Sequence, residues 1–237
     1  MNPPAMPGDG IDWPDAAYVA RVAERVAAVR ERIAGAGGDH VALVAVTKTF
    51  GPQALLAAGA TGCPAVGENY AQELVAKLDA LAGAALLAGV PEVHFIGQLQ
   101  TNKVRLLADR VGVYETVDRS SLAREIAKRA PGARVLVQVD ATGEPGKGGC
   151  PIDDVPRLVD ECRAIGLATL GLMTVGPTVG EVADTRRVFR SVRALLDRLD
   201  LAVCSMGMSD DLEIAIEEGS TQVRVGSALF GARPPVS

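Results

Sequence analysis

Lys48 closes the apolar run 41–46 (VALVAV) in the triplet Thr47-Lys48-Thr49. An ammonium buried without a partner is costly, so a lysine in that position is pushed toward its neutral form. Only the neutral amine attacks a carbonyl, which makes Lys48 a candidate for Schiff-base chemistry. The plainer alternative is a lysine that snorkels to the rim, its stem covering apolar neighbours. Two other stretches are rich in small residues: Ser205-Met206-Gly207-Met208-Ser209-Asp210-Asp211 and Arg224-Val225-Gly226-Ser227. Such residues let backbone N–H groups and hydroxyls close around an anion, although Ser209 or Asp210 would equally serve as an ordinary helix cap. Taken together the three stretches predict a phosphate-bearing aldehyde held by its phosphate and bonded to Lys48. Pyridoxal 5′-phosphate (PLP) is the cofactor that fits. Arg224, two residues before Gly226, points toward the same place. It either pairs with Glu68, Asp210 or Asp211, or faces a pyridine nitrogen, where a permanent cation makes the ring a weaker electron sink.

The elements that must position these residues follow from periodicity. Val19, Val22, Val26, Val29 and Ile33 recur at helical steps and predict an amphipathic helix over 14–34, with Pro14 in its first turn. After it, short apolar runs alternate with helical ones. Strands are expected over 41–46, 64–66 leading into Gly67-Glu68-Asn69, 93–96, 111–116, 134–139, 167–173, 201–204 and 222–225. Helices are expected over 52–60, 71–81, 102–109, 120–129 (capped by Ser120 or Ser121), 153–165, 181–199 and 210–218, with a last turn at 228–231. This alternation fits an open doubly wound sheet as well as a barrel. Eight strands filling the length favour a single (β/α)8 TIM-type barrel with an extra N-terminal helix. Residues 14–237 are then one domain behind a flexible tail, 1–13. In such a barrel the site lies past the carboxyl ends of the strands, where Lys48 and both small-residue stretches fall.

The composition narrows the function. The 237 residues hold 24 Lys+Arg against 29 Asp+Glu, a net charge of −5, with 48% hydrophobic and 22% charged residues. That balance suits a globular protein with a full core, and no nucleic-acid partner is expected from an acidic chain with 3% aromatics. The longest uncharged stretch, 49–67, holds Gly51, Pro52, Gly59, Gly62 and Pro64, and reads as loop, helix and loop rather than a membrane span. No secretory signal precedes it. Cys63, Cys150, Cys162 and Cys204 show no metal spacing and are expected as free thiols in the cytoplasm. The segment 143–149 fails as a phosphate-binding P-loop, because Gly148 follows Lys147 and Ala141 stands where a glycine is needed, so a mobile loop over the mouth is expected. His40 reads as solvated and His94 as lining the barrel. Neither builds a nucleophilic triad or a metal site, and no metal is expected. A monomer is expected, since no helix shows a surplus apolar stripe.

Several runs resemble the pyridoxal phosphate homeostasis proteins: Ala45-Val46-Thr47-Lys48, Gly67-Glu68-Asn69-Tyr70, His94-Phe95-Ile96-Gly97, Leu99-Gln100-Thr101-Asn102-Lys103 and Gly171-Leu172-Met173. So do the stretch from Ser205 to Asp211 and the one from Val223 to Gly231. These segments span nearly the whole chain in order. The resemblance implies a fold similar to the amino-terminal barrel of alanine racemase. It implies that Lys48 carries the Schiff base, that Ser205, Gly226 and Ser227 hold the phosphate, that Arg224 faces the ring nitrogen, and that Asn69 lies near the cofactor. Ser227 stands where threonine is common and keeps the hydroxyl. Alanine racemase draws a second acid/base, a tyrosine, from a further β-domain, for which no residues are expected here; of Tyr18, Tyr70 and Tyr114, only Tyr70 falls near a strand's carboxyl end. The expected role is therefore an intracellular PLP carrier or buffer without catalytic turnover, with apo PLP-dependent enzymes as transient partners. The alternatives are a slow PLP-dependent racemase or decarboxylase using Tyr70, and an aldolase using Lys48 directly.

Overall fold

The short apolar runs, rich in Val and Leu, become parallel strands because only a strand buried on both faces accommodates such continuous apolarity. A computed structural model describes residues 12–232. Most of the expected tail, residues 1–11, lies outside the described residues, as do 233–237. The strands are β1 (Ala42–Val46), β2 (Ala65–Glu68), β3 (Glu92–Phe95), β4 (Val113–Val117), β5 (Arg134–Asp140), β6 (Ala168–Met173), β7 (Val203–Ser205) and β8 (Gln222–Val225). Each pairs in parallel with its sequence neighbours. β8 returns to β1, with Val44 opposite Arg224, and the ring closes as the (β/α)8 barrel expected from the sequence. A two-residue strand, Cys150–Pro151, adds to the outer end of β5.

The outer layer comprises α1 (Ala16–Gly35), α2 (Gln53–Ala60), α3 (Ala71–Gly83), α4 (Ser120–Arg129), α5 (Val155–Ala164), α6 (Val182–Arg198), α7 (Leu212–Glu217) and α8 (Ser227–Phe230). Val22, Val26, Val29 and Ile33 of α1 are buried where it packs beside α2, α7 and α8 over the β8–β1 junction. Among the described residues no helix is long and apolar enough to cross a membrane.

Local expectations fail where capping was read from residue type alone. α1 begins after Asp15, whose carboxylate accepts the Tyr18 N–H at 2.8 Å, so Pro14 precedes the helix. α4 has Arg119 at its N-cap, with no side-chain capping bond. The helix expected over 102–109 is a 3-10 segment, Thr101–Leu106. β7 starts two residues later than expected, because the Leu201 N–H still bonds back to Leu196 O at the end of α6. The helix expected over 210–218 shrinks to α7, whose N-cap is Asp211 rather than Ser209 or Asp210; the Asp211 carboxylate makes no capping bond and takes the Met208 N–H at 2.6 Å.

Candidate functional site

Strand alternation sorts the side chains. Leu43 and Ala45 of β1 join the core beneath the helices, and the intervening Val44 faces the barrel interior beside Gly67. Two residues past β1, Lys48 sits in a tight turn, partly buried. Thr49, next in line, has φ = 69°, a left-handed conformation that a β-branched residue adopts only under constraint. Helix α3 supplies that constraint. The Thr49 N–H donates to Glu73 Oε1 at 2.6 Å, and Lys77 Nζ donates to Thr47 O at 2.9 Å. The buried Lys77 ammonium also donates to Glu68 Oε1 and forms an ion pair with Glu73 Oε1, each at 2.6 Å. Glu68 is fully buried, accepts the Thr47 hydroxyl at 2.7 Å, and leaves Oε2 without a partner. Burial raises its carboxyl above the usual range, with Lys77 and Thr47 opposing.

On the other side of the β1–β8 junction, Arg224 is buried inside the mouth. Its guanidinium donates to Ser205 Oγ at 2.6 Å and to Thr174 O at 2.8 Å. None of the acids expected as its partners bonds it: Glu68 is taken by Lys77 and Asp211 by the Met208 amide. Ser205, expected to hold a phosphate, is engaged by its buried neighbours. Its hydroxyl donates to Glu115 Oε2 at 2.7 Å and accepts from Arg224 and from Gln222 Nε2 (2.9 Å), so its donor and both acceptor positions are filled. Glu115, with no exposure, further accepts from Gln222 Nε2 at 2.8 Å and pairs with His94 Nδ1 at 2.6 Å. Burial works to raise the Glu115 carboxyl, but the His94 bond and the Arg224 charge prevail and hold it below the usual range. His94 does line the barrel, yet the carboxylate stands between it and the serine, which is the wrong order for a nucleophilic triad. His40 is exposed, as expected.

Gly226 follows β8 beside the lysine turn. A Cβ there would lie 3.2 Å from Val46 O and 3.3 Å from Val46 Cβ, a tight approach that would press on the end of β1. Ser227 opens α8, and Asn69 follows β2 with its Oδ1 buried and unpartnered. All six expected site residues, Lys48, Asn69, Ser205, Arg224, Gly226 and Ser227, therefore gather at the carboxyl end of the barrel. Two surface hollows of about 350 and 340 Å³ lie elsewhere, one below the amino end of β1 and one beside Trp13. The segment 143–149 is tied to its surroundings: Lys147 Nζ donates to Gly176 O, Gln138 Nε2 to Gly148 O (both 2.6 Å), and the Thr178 N–H to Glu144. All four cysteines are free and buried, and burial lifts the Cys204 thiol to about 12.

Four buried or partly buried polar groups escaped the sequence reading, yet left signals. Glu115 is a carboxylate two residues from Val113 in a buried strand, and Gln222 shares a strand face with Arg224. Lys77 falls on the apolar stripe of Leu74, Leu78 and Leu81, with Glu73 one turn before it.

The family model described as the alanine racemase N-terminal domain matches residues 18–234. A pyridoxal phosphate homeostasis protein of Pseudomonas aeruginosa is 40% identical over 224 residues, covering 91% of this chain and 94% of its own. PipY of Synechococcus elongatus, solved with PLP bound, superposes with a TM-score of 0.77 at 28% identity, over 89% of this chain and all of that one. Alanine racemase of Corynebacterium glutamicum shares the fold, with a TM-score of 0.70 at 18% identity over 92% of this chain and 62% of that one.

Proposed function

The chain belongs to the alanine racemase N-terminal domain family and, within it, to the pyridoxal phosphate homeostasis proteins, and from that premise we propose that it binds PLP at the barrel mouth as a reversible intracellular carrier. The carrying observation is the junction of β1 and β8. It sets the Lys48 turn beside Gly226 and Ser227, with Arg224 fixed just inside. When bound, PLP supplies an aldehyde that condenses with a primary amine and releases water. Lys48 provides that amine. Gly226 and Ser227 hold the phosphate, Ser227 through its hydroxyl, while Asn69 offers its unpartnered Oδ1 nearby. Arg224 faces the ring nitrogen and, having no acceptor, keeps it unprotonated. Ser205 takes no phosphate in this reading; it fixes the guanidinium.

Carriage rather than turnover is supported by that arginine, which weakens the ring as an electron sink. The names of the curated relatives point the same way. Apo PLP-dependent enzymes are the partners to which the cofactor passes. The described fold acts as a monomer in the cytoplasm, a setting in which its free thiols persist.

Borohydride reduction followed by peptide mass mapping tests the reading. It should place a pyridoxyl phosphate group on Lys48, and Lys48→Ala should lose the yellow colour. A colourless wild-type protein with no adduct would sink the assignment. Steady conversion of L- or D-amino acids, abolished by Tyr70→Phe, would replace carriage with catalysis. Sedimentation reports the monomer.

A further inference from the structure

Lys48 is flanked by two peptide groups, and one helix holds both. Glu73 accepts the N–H of Thr49, Lys77 donates to the C=O of Thr47, and the two side chains meet each other at 2.6 Å across one turn of α3. Lys77 is further locked by Glu68 at the end of β2. The backbone they grip is strained, because Thr49 stands at φ = 69° and its Oγ1 is buried without a partner. A β-branched residue left to itself would leave that conformation and carry the direction of Lys48 with it. The bonds that oppose this involve charged groups, which are the stronger kind.

We infer that Glu73 and Lys77 are positioning residues for Lys48: a clamp on α3 that holds the strained Thr47–Thr49 turn in the one conformation that presents the lysine amine to an incoming aldehyde. The inference rests on Lys48 being the PLP-bearing lysine. It goes further by making α3, which carries none of the six proposed site residues, a determinant of how fast the amine is captured.

The test uses the full chain freed of PLP, its Glu73→Ala, Glu73→Gln and Lys77→Met variants, and PLP as the probe. Glu73 is partly exposed and alanine favours the helix, so Glu73→Ala should keep the fold. Without PLP, exchange of the Thr49 amide hydrogen should quicken by roughly tenfold in Glu73→Ala, about what one charge-assisted bond is worth. With PLP, absorbance should show the adduct forming several-fold more slowly in Glu73→Ala and Lys77→Met. Glu73→Gln keeps an oxygen for the Thr49 N–H and should recover most of both effects, which general destabilisation of α3 would not. Equal Thr49 exchange and equal loading in wild type and Glu73→Ala would overturn the inference while the PLP reading stands. A wild-type protein that never loads Lys48 overturns the PLP reading, and amide exchange then decides on the clamp alone.

Discussion

Glu115 and Glu68 are both carboxylates with no exposure, and their surroundings push them in opposite directions. Glu115 has every oxygen bonded and Arg224 near it, so its folded pKa lies below the ordinary value of 4.5. Its contribution to stability is complete above that value and is lost as pH falls through the lower folded one. At Glu68 burial outweighs the opposing Lys77 and Thr47, and one oxygen is left bare, so its folded pKa lies above 4.5. Its carboxyl favours folding at low pH and loses that advantage as pH rises from the ordinary value through the raised one. Urea unfolding across pH should therefore separate the two. Glu115→Gln should cost about 2 kcal/mol or more at neutral pH, and the gap to wild type should shrink in acid. Glu68→Gln should gain on wild type as pH rises. Parallel curves for the two variants would show that the surroundings do not set these charges. Both residues are visible as acids in apolar strands, but nothing near them in the chain announces Ser205, 90 residues from Glu115, or Gln222, 107 residues away.

The elements owe their positions to tight contacts as much as to periodicity. Gly171 in β6 is an example: a Cβ there would sit 1.8 Å from Val203 O, so β6 and β7 could not keep their spacing. Gly171→Ala should lower stability by about 2–3 kcal/mol, with lost density in the barrel interior, read as a fall in the urea midpoint. Gly83, the last residue of α3, meets nothing within 4 Å, and Gly83→Ala should be neutral or stabilise by up to about 0.5 kcal/mol. If the two substitutions cost the same, helix and strand propensity rather than packing decides the register. Strand and helix existence was legible from the apolar runs. Helix caps were not, because Asp211 rather than Ser209 or Asp210 stands at the start of α7 and Arg119 rather than Ser120 or Ser121 at that of α4, choices made by loop geometry.

At the scale of the whole molecule, closure of β8 onto β1 brings residues from opposite ends of the chain to one mouth. A ligand that binds only this closed form stabilises it by mass action, by about 2.7 kcal/mol at a hundred times its dissociation constant. PLP should therefore raise the melting temperature of wild type. Pyridoxal, lacking the phosphate, should raise it less, and Lys48→Ala should keep only the part due to phosphate contacts. An equal rise with pyridoxal would remove Gly226 and Ser227 from the site. Hydrophobic periodicity is a property of neighbouring residues, so the order of strands and helices and the odd residues at strand ends were determined by the chain read in line, which favoured a barrel by strand count, while closure of β8 on β1 was decided by the tertiary structure. The partners of those residues depend on which strands close upon each other and in what register. That is why only the tertiary structure could show Ser205 as the link between Arg224 and Glu115, and bring Glu73 and Lys77 to either side of Lys48.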